Sequence, residues 1–175
     1  MGEFVPFGSG YYLAFLALLV FARGMDFLST WVATPNLVLE GNPFVKRLGW
    51  KWSIPLNVAV CLGFAVWPLT AVVLSTTSVL VAARNFQHAW LMRSLGEEPY
   101  RSWHAARMQE TRVSLFLFCL LGQTALPAGL GGALLYFSNP RYLAPMAIGL
   151  GIITYAIAMA FFTLLSVWRM RRAMG

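Results

Sequence analysis

Charged residues are scarce in this chain: only 11% of its 175 residues are Asp, Glu, Lys or Arg, where soluble domains carry about 25%. Together with the 59% of hydrophobic residues, this scarcity excludes an ordinary soluble domain. The charged residues stand mainly at the ends of four long apolar segments. Each segment can cross the hydrocarbon layer of about 30 Å, which needs about 20 helical residues. The sequence therefore predicts one polytopic α-helical membrane domain over residues 1–175.

Common catalytic and redox motifs are absent as well. The sequence has no nucleotide-binding glycine loop, CxxC pair, HExxH or GxSxG motif. Its two cysteines, Cys61 and Cys119, lie within apolar segments, which is typical of small buried hydrophobes rather than of a disulfide. The net charge of +7 comes from basic residues spread over loops and the C-terminus, not from a basic stripe. We therefore expect lipids, and no nucleic acid, as partners.

The apolar segments predict four membrane spans, at about residues 8–33, 54–83, 113–137 and 142–168. The second span would be about 45 Å long, so we expect it to tilt or to bend at Pro68. Pro43 can begin a short helix on the external membrane surface. Residues 84–112 are predicted to form a cytoplasmic helical hairpin that turns near Gly96. The predicted fold class is thus an all-α integral membrane four-helix bundle with an external interfacial helix and a cytoplasmic hairpin extension.

The basic residues of the loops predict an orientation for these spans. Eight of them fall on the side of the two termini and four on the other side. We therefore expect a multi-pass protein of a prokaryotic inner membrane with both termini in the cytoplasm. Small residues four positions apart in the last two spans, such as Ala147 and Gly151, predict a tight helical hairpin or a docking face for another subunit.

An acid and a base stand inside the first apolar segment, where ionisable groups are costly. The spacing of Arg23, Asp26 and Thr30 places all three on one helix face, so Asp26 can pair with Arg23. Ser29 can add a hydroxyl, and Asn57 lies at a similar depth in the second span. We interpret these residues as a structural polar cluster. A catalytic, ligand-binding or ion-conducting role is the alternative.

A second polar motif follows in the first loop. The two motifs read Asp26-x-x-Ser29-Thr30 and Glu40-x-Asn42-Pro43. Over roughly the first 60 residues this pattern resembles small uncharacterised prokaryotic polytopic membrane proteins with a D-x-x-[ST]-T … E-x-N-P signature. That family has no assigned activity, so the resemblance implies that the polar residues form a unit but supplies no chemistry. In an enzyme, Asp26, Glu40 and Asn42 are the candidate catalytic residues; otherwise Glu40 and Asn42 anchor the loop.

His88 and His104 stand eight residues before and eight residues after Gly96, so an antiparallel hairpin brings them level. Two facing imidazoles can ligate a haem or a metal ion, and one can ligate a chlorophyll-type pigment. The simpler interpretation is two partly exposed helix residues. A mixed site with Asp26 and Glu40 is not expected, because the second span would separate the two sets by about 46 Å of helix. We therefore expect no bound metal.

The predicted function is a non-catalytic integral membrane subunit or scaffold that packs with other membrane proteins of a larger complex. Three features favour this function: the absence of common catalytic motifs, the small-residue faces that suit helix docking, and the charged hairpin that suits contact with a neighbouring protein. The first alternative is a membrane enzyme or lipid-binding protein that uses the polar cluster around Asp26 and Glu40. The second is a pigment- or haem-binding accessory subunit that uses His88 or His104.

Overall fold

The computed structural model describes residues 4–40, 42–139 and 141–172, and all the regular elements in these ranges are α-helices. The helices are α1 (Gly10–Ala33), α2 (Pro43–Phe64), α3 (Pro68–Leu95), α4 (Glu97–Glu110), α5 (Val113–Phe137) and α6 (Leu143–Arg172). Of these, α1, α3, α5 and α6 are long and apolar enough to cross a membrane. The prediction of an all-α protein with four candidate membrane spans is therefore confirmed.

The second of these helices does not lie where the sequence predicts it. Instead of one helix over residues 54–83, α2 ends at Phe64 and α3 begins at Pro68. Proline has no N–H to continue a helix, and it disfavours the helical conformation in the residue before it. In the first turn of a new helix the missing N–H costs nothing. Pro68 therefore separates two helices, and the prediction of a continuous second span is wrong.

The helix α2 runs back along α1 in the opposite direction. Just beyond the end of α1, Trp50 donates through Nε1 to the carbonyl of Pro35 at 2.8 Å. Near the start of α1, the hydroxyl of Tyr12 donates to the carbonyl of Leu62 at 3.2 Å. Within α2, Gly49 has a φ of 65° and divides a short first helix from the longer part that packs on α1. A short helix from Pro43 was predicted at this place.

The bundle has an amino end, where α1 begins, and a carboxyl end, where α1 terminates. The turn over residues 65–67 lies at the amino end, because the N–H of Val5 donates to the carbonyl of Val66 at 3.0 Å. From there α3 runs parallel to α1. It reaches the carboxyl end, where the Thr34 hydroxyl donates to Glu97 at 2.6 Å.

Small side chains let α3 pack closely against α1. The buried residues of α3 are Ala71, Ser75, Ser78, Ala82 and Ala89. Their intervals of four, three, four and seven residues place them on one seam, as in a coiled coil. Small residues on such a seam allow two helix backbones to approach, and in lipid this close packing drives helix association.

The helices α5 and α6 form an antiparallel hairpin around two glycines. A Cβ added to Gly131 would lie 2.7 Å from the carbonyl oxygen of Gly149, and one added to Gly149 would lie 2.8 Å from that of Gly131. The predicted tight hairpin is therefore present. Gly151 packs the hairpin on α3, because its Cβ position lies 2.6 Å from Cβ of Thr76 and its carbonyl accepts from the Thr77 hydroxyl at 3.1 Å.

This packing defines the direction of the last helices. Gly151 and Thr76 each lie eight residues into their helix. Further along the same two helices, Tyr155 lies close enough to Arg84 to interact with it electrostatically. The two contacts advance in the same direction, so α6 runs parallel to α3 and begins at the amino end. Five helices, α2 included, therefore carry the described chain between the two ends, while α4 stays at the carboxyl end. Residues 4 and 172 lie at opposite ends of the bundle. The sequence predicted both termini on one side, and residues 1–3 and 173–175 lie outside the described residues. The predicted separation of the first loop from residues 84–112 is wrong, because Glu97 bonds the loop after α1.

Candidate functional site

The guanidinium of Arg23 binds side chains from three helices. Its Nη1 donates to Asp26 Oδ2 at 2.9 Å and to Ser78 Oγ at 3.1 Å. Its Nε donates to Asn57 Oδ1 at 2.7 Å, and its Nη2 donates to the same oxygen. Asn57 is oriented by its own amide, which donates to the carbonyl of Ser53 at 2.8 Å. The helices α1, α2 and α3 therefore meet at one side chain.

The surroundings of the ion pair explain why so many acceptors are gathered there. The side chain of Arg23 is 27% exposed and that of Asp26 is 18% exposed. A lone charge at this depth is expensive, whereas a paired and hydrogen-bonded charge is tolerated. Asn57 and Ser78 add neutral acceptors around the pair. The arrangement is suited to fastening helices together.

One turn nearer the carboxyl end, Asn85 of α3 links two hydroxyls of α1. Its Nδ2 donates to Ser29 Oγ and to Thr30 Oγ1, both at 3.3 Å. The Ser29 hydroxyl donates to the backbone carbonyl of Asp26 at 2.8 Å. The predicted members Ser29 and Thr30 thus lie in a polar seam that continues from the Arg23–Asp26 pair.

At the carboxyl end, the carboxylate of Glu97 accepts four hydrogen bonds from the loop after α1. The donors are the Thr34 hydroxyl at 2.6 Å, the Asn36 N–H at 3.0 Å, the Asn36 side-chain amide at 2.9 Å and the Val38 N–H at 3.1 Å. Leu37 has a φ of 56°, and the two backbone donors flank it. Backbone turns of this kind form anion-binding concavities. Glu97, the first residue of α4, therefore fastens α4 to the end of α1.

The four hydrogen bonds also change the acidity of this carboxyl group. Partial burial alone would raise the pKa of Glu97, but the bonds from Thr34, Asn36 and Val38 outweigh it and hold the pKa below its ordinary value of 4.5. Glu97 is therefore ionised at neutral pH.

The predicted residues Glu40 and Asn42 lie in the loop between α1 and α2, two helical turns or more beyond Asp26. There the N–H of Asn42 donates to Glu40 Oε1 at 2.7 Å. This bond is the loop-anchoring arrangement considered above. The structure thus brings Arg23, Asp26 and Asn57 together, and it places Glu40 with Asn42 in a local turn.

The two histidines interact electrostatically across the α3–α4 turn. Burial, and then repulsion by His88, hold the pKa of His104 below its ordinary value of 6.5. The His104 ring stacks on Tyr100 with centroids 5.9 Å apart, and His88 Nδ1 lies 3.2 Å from the carbonyl oxygen of Arg84. His104 is therefore neutral at pH 7.

The expected long separation between acids and histidines is wrong, because α3 returns to the end of the bundle where Glu40 lies. Both sets stand towards the carboxyl end. Within residues 4–40, 42–139 and 141–172, no group of three or more His, Cys, Asp or Glu side chains is placed to hold a metal ion.

Several residues of these contacts were not predicted from the sequence, among them Ser78, Asn85 and Glu97. A signal for the first two exists, because they are seven residues apart on the same seam as the buried alanines of α3. Glu97 has no comparable local signal, because its donors come from a loop 59 to 63 residues earlier in the chain.

No protein-family model, curated protein or solved structure matches this chain. The resemblance to proteins with the D-x-x-[ST]-T … E-x-N-P signature therefore stays a prediction.

The first prediction concerns the ion pair. Asp26→Asn or Arg23→Gln alone leaves a charge without its counter-charge, so each should lower the free energy of unfolding by on the order of 3 kcal/mol. The double variant removes both charges and should lose less than the sum of the single losses. Thermal unfolding of all four proteins in one detergent measures this. A double variant whose loss of unfolding free energy equals the sum of the two single losses would contradict a role of the ion pair in holding the helices together. An Asp26→Asn protein with an unchanged free energy of unfolding would contradict it as well.

The second prediction concerns Glu97. Because folding lowers its pKa, its stabilisation is complete above the unfolded value of about 4.5 and is lost as the pH falls through the lower folded value. Glu97→Gln should lower the Tm at pH 7, by the equivalent of about 2 kcal/mol for bonds to a charged acceptor. The difference from wild type should narrow at acid pH.

The matched control is Glu98→Gln, because this exposed neighbour makes only a 3.9 Å contact with Arg101 and should change the Tm little. If the Tm difference between wild type and Glu97→Gln stays constant from pH 7 to acid pH, the stabilisation does not come from the ionised carboxylate of Glu97.

Proposed function

We propose that this chain is a non-catalytic subunit or scaffold of a prokaryotic inner membrane, and that it binds other integral membrane proteins through one face of α5. The free face is defined here as Gly122, Ala125, Gly129 and Ala133. These residues follow each other at intervals of three or four, so they share one side of the helix.

The observation that carries the proposal is the exposure of α5. Only 6% of its most apolar 18-residue stretch is buried, against 22–28% in the other three candidate spans. Gly131 faces α6, whereas Gly122 and Gly129 have no atom within 4 Å of an added Cβ. In lipid, small residues are enriched where helices pack together, because they let backbones approach. The free face therefore suits a neighbouring transmembrane helix.

Gln123 adds a polar group beside this face. It is exposed near the middle of α5, where an amide in hydrocarbon is costly unless another group hydrogen-bonds to it. A polar side chain on an adjacent subunit would supply that bond. This supports a protein neighbour at α5 in addition to lipid.

The polar cluster supports a structural rather than a chemical role for the first three helices. Arg23 donates to Asp26, Asn57 and Ser78, so the groups that an enzyme would use are engaged in holding helices together. Glu40 likewise accepts from the N–H of Asn42 in its own loop.

The distribution of basic residues supports an orientation. Of the thirteen Lys and Arg residues, Arg23 lies inside the bundle and Arg141 lies at the amino end. The other eleven lie towards the carboxyl end: Lys46, Arg47, Lys51, Arg84, Arg93, Arg101, Arg107, Arg112, Arg169, Arg171 and Arg172. Cytoplasmic loops carry the excess of Lys and Arg. We therefore place the carboxyl end in the cytoplasm and the start of α1 on the other side.

The third prediction tests the free face with two glycines that are two residues apart. Gly129→Leu should leave the Tm unchanged. On native gels of mildly solubilised membranes, however, the variant should migrate at the mass of the lone chain, because the larger side chain prevents a neighbouring helix from packing on the free face. The control Gly131→Leu should lower the Tm, because its Cβ would meet the Gly149 carbonyl at 2.7 Å.

A Gly129→Leu protein that still migrates in a larger assembly would contradict the use of this face. A wild-type protein that migrates as the lone chain would contradict the scaffold function itself.

A further inference from the structure

Two buried hydroxyls near Arg23 have no hydrogen-bond partner among the described residues. They are Ser53 Oγ on α2 and Ser75 Oγ on α3, in residues that are 1% and 3% exposed. Leaving a buried hydroxyl unbonded costs free energy. Buried polar sites of this kind commonly hold ordered water that makes about two to four hydrogen bonds.

The register of α1 and α2 places Ser53 level with Asp26. The two helices are antiparallel, and Arg23 bonds Asn57. Ser53 comes four residues before Asn57, and Asp26 comes three residues after Arg23, so both lie about one turn nearer the carboxyl end. A carboxylate offers about four acceptor sites, and Arg23 takes one of them on Asp26. A hydrogen-bond donor placed between these two residues could therefore donate to the carboxylate of Asp26 and to the hydroxyl oxygen of Ser53.

Polar groups continue from this place to the carboxyl end. Asn85 bonds Ser29 and Thr30, and beyond them Thr34 bonds Glu97. Towards the amino end, the same helices pack into an apolar core. This core consists of Tyr12, Leu19, Cys61, Ala65 and Ala71. The polar seam is thus continuous on one side of Arg23 only.

We propose that the seam between α1, α2 and α3 binds ordered water beside Asp26 and Ser53, and that this water enters from the carboxyl end. The apolar core closes the opposite side, and Ser75 marks the inner limit of the seam. Asp26 therefore exchanges protons with the carboxyl end of the bundle and not with the amino end. This one-sided hydration is independent of the proposed docking face on α5.

The experiment uses D2O as the probe of water at single thiols. Ser53→Cys and Ser75→Cys are each made in a Cys61→Ala/Cys119→Ser protein, and the S–H stretching band is followed by infrared spectroscopy after transfer to D2O. Native Cys61, observed in the Cys119→Ser protein, is the matched control because it lies in the apolar core and is 4% exposed.

The thiol at position 53 should exchange during mixing, the thiol at position 75 more slowly, and Cys61 only when the protein opens. A thiol at position 53 that exchanges as slowly as Cys61 would overturn the water site. Faster exchange at position 75 than at position 53 would overturn entry from the carboxyl end.

A second readout does not depend on a cysteine variant folding. If water bonds the Ser53 hydroxyl, Ser53→Ala loses hydrogen bonds and lowers the Tm. If the hydroxyl is merely buried without a partner, the same change removes an unfavourable group and raises the Tm. A raised Tm would therefore overturn the proposal.

Discussion

The hydrogen-bonding demand of one guanidinium determines how the first three helices are arranged. Arg23 stands within a candidate membrane span, where a charge is costly unless other groups pair with it and bond to it. Asp26 supplies the counter-charge, α2 supplies Asn57 and α3 supplies Ser78. Both of these helices can reach the same side chain only because the chain reverses at residues 65–67. The contact between Val5 and Val66 holds that reversal at the start of α1.

This reversal determines the sidedness of the rest of the chain. Because α3 runs parallel to α1, the loop after α1 and the start of α4 meet at one end, where Glu97 joins them through four hydrogen bonds. Eleven of the thirteen Lys and Arg residues lie towards that same end. The hairpin of α5 and α6 packs on α3 through Gly151, which leaves the outer side of α5 exposed. The proposed docking face and the proposed cytoplasmic end both follow from this arrangement.

The sequence was informative wherever a local pattern decides the structure. The apolar runs predicted the all-α class with four candidate spans, and the spacing of Arg23 and Asp26 predicted their ion pair. The break before Pro68 was not predictable in the same way, because residues 54–83 are apolar on both sides of it. The hydropathy profile of this segment therefore does not distinguish a bend in one helix from a reversal between two helices. Interpreting it as a bend separated the first loop from residues 84–112. With Lys46, Arg47 and Lys51 at the same end as those residues, the charge distribution of eight against four becomes eleven against one. Glu97 was missed for the same reason, since its donors become neighbours only after the reversal.

The most direct measurement is the sidedness of two cysteines in a Cys61→Ala/Cys119→Ser protein. Arg47→Cys lies at the start of α2 and Ser102→Cys lies in α4, both at exposed positions. A membrane-impermeant maleimide is applied to intact cells and to inverted membrane vesicles. The reversal at residues 65–67 predicts that both cysteines are labelled from the same side. The proposed cytoplasmic position of the carboxyl end predicts that this labelling occurs in the inverted vesicles. Labelling of the two cysteines from opposite sides would contradict the arrangement of helices around Arg23.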